Sequence, residues 1–110
     1  MSAFEISGQV FQALNGGDYY KLNEAFSIFV ECQDQTEVDL YWDKLTADGG
    51  EAGQCGWLKD KYGLSWQIIP KQLGEFMMGG DQAKSARVQA AMMKMNKIIV
   101  KDLETIYNAE

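Results

Sequence analysis

A chain of 110 residues that is 46% hydrophobic and carries a formal charge of −6 has enough apolar side chains for one core, and no basic cluster to hold a polyanion. The absence of histidine removes the commonest transition-metal ligand and the commonest general base together. No apolar run reaches the ~18 residues that span a bilayer, and no charged start leads into an apolar h-region, so neither nucleic acid nor a membrane is expected as partner and the chain reads as cytoplasmic.

Residues 3–14, AFEISGQVFQAL, alternate apolar and polar positions on both sides of Ser7-Gly8, which predicts a β-hairpin. The run NGGD that follows is turn chemistry. Residues 25–32, AFSIFVEC, form a largely apolar strand expected to be interior. Residues 34–45 give the clearest helix. Asp34 can cap it, Glu37 takes the capping-box position, and Val38, Tyr41, Trp42 and Leu45 recur at helical spacing as one apolar stripe. DGGEAG at 48–53 reads as a loop, and residues 54–60 and 64–70 as a second hairpin around KYG. Helices are expected over about 71–78, 81–96 with Asp81 at its start, and 101–108. On the long one Val88, Ala91, Met92 and Met95 share a face. Together with Met77, Met78 and Met93 the methionines read as a flexible apolar seam of core contacts. The sequence is α+β: a hairpin, then β-α-β-β, then helices.

Two stretches look like copies: SGQVFQAL at residues 7–14 and YGLSWQII at 62–69. Each has a glycine four residues before a glutamine, an aromatic just before the glutamine and two apolar residues just after. Residues 3–14 thus match the closing hairpin of a unit like the one that ends at Pro70.

Several motifs carry a family resemblance: Ala13-Leu14-Asn15-Gly16-Gly17, Cys32-Gln33-Asp34-Gln35, Trp42-Asp43-Lys44-Leu45 and Gln54-Cys55-Gly56-Trp57-Leu58-Lys59-Asp60. Across Gly8 to Ile99 the chain resembles the PhnB-like branch of the vicinal oxygen chelate superfamily, whose members often carry a demethylubiquinone methyltransferase name. The resemblance implies paired βαβββ modules with a ligand held between them. One glyoxalase-like domain over residues 1–110 is then expected, with 1–17 as the remnant hairpin of a first module, 25–70 as the second module and 71–110 as a helical tail. The first strand and helix of module one are missing, and unpaired sheet edges favour association, so a homodimer is expected.

In metal-using members, the resemblance further implies, a first-strand histidine and a last-strand glutamate hold the ion. Those positions are Ser27 and Gln67 here, with Gln12 as the repeat of Gln67 in module one. A neutral amide and a hydroxyl make a poor site for a divalent cation, so no metal and no other cofactor are expected. A glutamine facing a cavity instead offers a donor and an acceptor to a neutral polar ligand. Strand alternation puts Ser65, Gln67 and Ile69 on one face and Trp66 and Ile68 on the other, against the Trp42 helix. The family's register adds Cys55, Trp57, Ser27 and Phe29 to the Gln67 face, making an aromatic cup for a small, mostly apolar molecule. Each has a plainer role open to it: Trp57 as core, Gln67 as a partner for nearby backbone, Cys55 as an inert thiol. No Gly-rich strand-to-helix turn is present to bind a nucleoside cofactor. An enzyme with an atypical site, in which Cys55 or a partner-chain carboxylate acts, stays open. So do the demethylubiquinone methyltransferase-like activity of the family name and a structural module that pairs with another such chain.

Overall fold

The computed structural model describes residues 1–109; the last position of the expected helical tail, Glu110, lies outside them. Strands β1 (Ser2–Ile6) and β2 (Gln9–Ala13) form the expected hairpin, a two-stranded antiparallel sheet of its own. Its two-residue turn places Ser7 at φ 50° and Gly8 at φ 83°, the left-handed pair that matches the natural twist of a hairpin. Phe4 lies opposite Phe11 and their rings stack at 5.7 Å. Apart from half-buried Phe11, every residue of the two strands is exposed. Residues 14–26, which follow, hold turns and bends but no helix or strand, and they expose Tyr19, Tyr20, Leu22 and Phe26. The projecting hairpin lengthens the molecule to 54 × 26 × 23 Å. The radius of gyration is accordingly 16.1 Å, against about 13 Å for a compact domain of this size.

The rest of the chain is built around a four-stranded sheet. Strand β3 (Ser27–Cys32) leads into α1 (Gln35–Thr46), followed by a single 3₁₀ turn (Ala47–Gly49) and strands β4 (Glu51–Ala52), β5 (Trp57–Lys59) and β6 (Ser65–Pro70). The strands lie in the order β3-β6-β5-β4, with β3 and β6 parallel and the other pairs antiparallel. A parallel pair needs a long crossover, and α1 supplies much of it.

Asp34 caps α1 by accepting the Glu37 amide at 2.9 Å. The stripe predicted on α1 faces the sheet: Val38 and Trp42 are buried with Cys32, Leu58 and Ile68, and Val30, Leu45 and Trp66 pack around them. Tyr41 stands at the stripe's margin and is exposed. Because α1 covers only one face, β3 is not interior as its composition suggests. Its other face carries Phe29, 57% exposed. The segment expected as a loop at 48–53 contains β4, whose two residues pair with β5. Asp60 organises the turn between β5 and β6: its carboxylate accepts the amides of Tyr62 at 2.9 Å and Leu64 at 3.1 Å, and the indole N–H of Trp66 at 2.9 Å.

Helices α2 (Lys71–Met77), α3 (Gln82–Met92) and α4 (Val100–Tyr107) form a second core around Leu73, Val88, Ile98 and Leu103. Asp81 caps α3 through the Lys84 amide at 3.1 Å. That helix ends four residues before the expected position 96, and the chain turns so that the carbonyls of Met95 and Asn96 accept the amides of Cys55 at 2.8 Å and Gly56 at 2.9 Å. Of the expected methionine seam, Met92 and Met95 pack against the second core, whereas Met77, Met78 and Met93 are exposed. Gln35 ties the two parts together. Its amide donates to the Ile98 carbonyl at 3.0 Å and its oxygen accepts the Val100 amide at 2.7 Å. No helix among the described residues is long and apolar enough to cross a membrane.

Candidate functional site on the open face of the sheet

Strand pairing sets two rows of side chains across the face that α1 leaves uncovered. In the first, Gln67 lies between Phe29 on β3 and Trp57 on β5. In the second, Ser65 lies between Ser27 and Lys59, and Lys59 pairs onward with Glu51 on β4. Paired residues project to the same side of a sheet, so the face carries two aromatics flanking an amide and a hydroxyl-bearing row ending in charges. One end of this face, at Ile69, is covered by the C-terminal helices.

Ser27 and Gln67, expected at the centre of the cup, are bonded to each other: the Gln67 amide donates to Ser27 Oγ at 2.9 Å. Five of the seven candidate positions, Ser27, Phe29, Trp57, Ser65 and Gln67, therefore lie together. The other two do not join them. Gln12 is exposed on β2, in the separate hairpin. Cys55 precedes β5 at φ 60°, and its sulfur lies 3.6 Å from that of Met93. The left-handed turn breaks strand alternation there and sends the thiol toward the C-terminal segment instead of into the row of Trp57 and Gln67.

At the Ser65 end lies a cleft of about 440 Å³, lined by Glu24, Glu51, Gly53, Trp57, Lys59 and Ser65 among others. Gly53, in its wall, lies so close to β5 that a β-carbon there would come within 2.7 Å of the Trp57 carbonyl oxygen. Lys59 is ion-paired with Glu24. The hydrogen bond between them, with their mutual attraction, lowers the pKa of the Glu24 carboxyl and raises that of the Lys59 ammonium. Ser65 is 1% exposed, and its hydroxyl oxygen has no hydrogen-bond partner among the described residues.

Lys59, Glu24 and Glu51 were not among the candidates drawn from sequence. Lys59 could have been found, since it stands two residues from Trp57 on one strand and so shares its face. Glu51 sits on a strand too short to alternate. Glu24 comes from an irregular segment with no periodic signal. Among the described residues no group of three or more Cys, Asp or Glu side chains is placed to hold a metal ion.

A family model described as 3-demethylubiquinone-9 3-methyltransferase matches residues 1–69, which takes in both hairpins and the whole four-stranded sheet up to Ile69. No curated protein matches the chain. Among solved structures, the chain is similar to a Bacillus cereus protein named provisionally as a 3-demethylubiquinone-9 3-methyltransferase, PhnB protein. The two share 29% identity over 62% of this chain, with a TM-score of 0.57. The match spans 61% of that protein's length. With more than half of its residues matched by the family model, and an α+β architecture like that of the PhnB structure, the chain belongs to the PhnB-like, 3-demethylubiquinone-9 3-methyltransferase family.

Proposed function

We propose that the chain is a vicinal oxygen chelate module that binds a small, mostly apolar molecule on the open face of its four-stranded sheet, without a metal. The observation that carries this reading is the neutral Ser27–Gln67 pair, hydrogen-bonded at 2.9 Å between Phe29 and Trp57. Aromatic walls with a few fixed polar groups suit recognition of a small molecule. A divalent ion does not suit the same residues. The donors are neutral and the Gln67 amide points a hydrogen at Ser27 Oγ. In the adjoining row the group directly beside Ser65 is the Lys59 ammonium, with the Glu51 carboxylate one strand further out. The methyl-donor chemistry in the family's name finds no support in the strand-to-helix junction either. There β3 passes into α1 through Gln33 and Asp34, with no glycine and with the Asp34 carboxylate accepting the Glu37 amide.

The same reading makes the working unit a homodimer. Support comes from the unpaired outer edges of β3 and β4 and from a hairpin whose Phe4, Ile6 and Val10 are exposed. A second chain then pairs along these edges, and Gln12 enters a shared cup from the partner.

Two measurements test these statements. Elemental analysis of the purified protein is expected to find no stoichiometric divalent metal; a metal retained by the parent and lost in Gln67→Ala sinks the metal-free cup. Light scattering coupled to size exclusion is expected to give twice the chain mass, falling to one chain mass when residues 1–14 are deleted. A monomer at micromolar concentration refutes the dimer.

A further inference from the structure

A small-molecule cup, on which this inference rests, leaves the charge of the ligand unspecified, but the cleft at its Ser65 end does not. Two carboxylates, Glu24 and Glu51, stand there against one ammonium, Lys59, and Lys59 is already engaged by Glu24. Glu51 makes no ion pair among the described residues. An anion entering the cleft would have to draw Lys59 away from a carboxylate in a field that is already negative, on a chain of formal charge −6. A cation faces the single Lys59 ammonium, which Glu24 already offsets, and gains the Glu51 carboxylate.

Two further features of the cleft suit a cation with an apolar body. Trp57, half-buried, lines it, and the face of an indole attracts ammonium groups and apolar carbon alike. Ser65 also lines the cleft, and its Oγ is buried without a partner among the described residues. A hydroxyl left so is unfavourable until something hydrogen-bonds to it, and a ligand N–H can do so.

We propose that the cleft takes a small organic amine in its protonated form, with the ammonium between Glu51 and Glu24, the apolar body on Trp57, and Ser65 Oγ accepting a hydrogen bond from the ligand.

The test uses three probes of one shape and different charge: phenethylamine, 2-phenylethanol and phenylacetate, each titrated calorimetrically into the full chain at neutral pH. Phenethylamine is expected to bind about tenfold more tightly than the alcohol, with phenylacetate weakest. Glu51→Gln, an exposed change on β4, is expected to remove most of that preference. Ser65→Ala is expected to weaken the amine about fivefold with its preference over phenylacetate retained. If the alcohol binds as tightly as the amine, or phenylacetate binds tightest, the charge assignment is overturned while the small-molecule cup stands. If none of the three binds at millimolar concentration, the cup reading falls along with it.

Discussion

Gly56 sits where the sheet and the C-terminal helices meet, and replacing it with alanine tests that junction directly. Its φ is +83°, a conformation in which a β-carbon crowds the following carbonyl. An added β-carbon would lie 2.8 Å from Ile69 Cδ1, 3.1 Å from the Ile68 carbonyl oxygen and 3.2 Å from Ile98 Cγ1. The left-handed conformation costs about 1–2 kcal/mol for a residue with a side chain. The methyl tip of Ile69 can rotate away, but the Ile68 carbonyl is backbone and cannot, and overpacking of this kind costs about 1–3 kcal/mol. Gly56→Ala is therefore expected to destabilise the fold by about 2–4 kcal/mol. In urea, with a slope of about 2 kcal/mol/M, the unfolding midpoint should fall by about 1–2 M at unchanged slope. Gly16→Ala serves as control, since Gly16 lies outside the left-handed region and its β-carbon would meet nothing within 4 Å. A Gly56→Ala midpoint within about 0.3 M of the parent, well inside the expected shift, would mean that the close approach of this turn to β6 and Ile98 is not as described.

The two thiols should separate cleanly. Cys32 is fully buried and its pKa is pushed up to about 11 by burial, with the Glu37 and Asp34 carboxylates adding to the effect. In native protein near neutral pH an alkylating reagent is expected to modify Cys55 first and to reach Cys32 only in denaturant; equal native rates contradict this packing. Asp39 has its carboxyl pKa lowered, first by the hydrogen bond from Gln35 and then by Lys97. A depressed folded pKa gives stability that is present above the ordinary aspartate value of about 3.9 and is lost as pH falls through the lower, folded one. Asp39→Asn should flatten the acid limb of urea midpoint against pH below about pH 5; superimposable limbs refute the contribution. Asp60→Ala removes the acceptor of two backbone amides and the Trp66 indole, and is expected to cost about 1–3 kcal/mol. An accompanying change in tryptophan emission checks that Trp66 has lost its partner.

Much of this arrangement is legible in the sequence because period and capping are local. The Trp42 stripe, the Asp34 and Asp81 caps and the Ser7-Gly8 turn each follow from residues within one turn or one strand. The alternation on β6 correctly divides Trp66 and Ile68 from Ser65 and Gln67. Where expectation and structure part, tertiary contacts decide. β4 is two residues long, too short for any periodic signal, and exists by pairing with β5. α3 stops at Met92, and beyond it the carbonyls of Met95 and Asn96 accept the amides of the turn at Cys55 and Gly56, far away in sequence. That turn also removes Cys55 from the row that strand alternation assigns to it. The composition of β3 suggests burial on both faces, yet nothing in its own residues indicates that helices will cover only one. Glu24 joins the cleft through a single ion pair from an irregular stretch, an association that no local rule reports.

The solitary position of the first hairpin has a consequence for how molecules of this protein can meet. Its two strands satisfy one another along their shared side only, while β3 and β4 each end the larger sheet with a bare margin. Contacts between unlike margins continue without limit, molecule after molecule, unless a rotation brings the last back to the first. Reciprocal exchange by a two-fold axis is the smallest arrangement that closes. A change that blunts either margin therefore ends such open-ended contacts, because every step of them uses both.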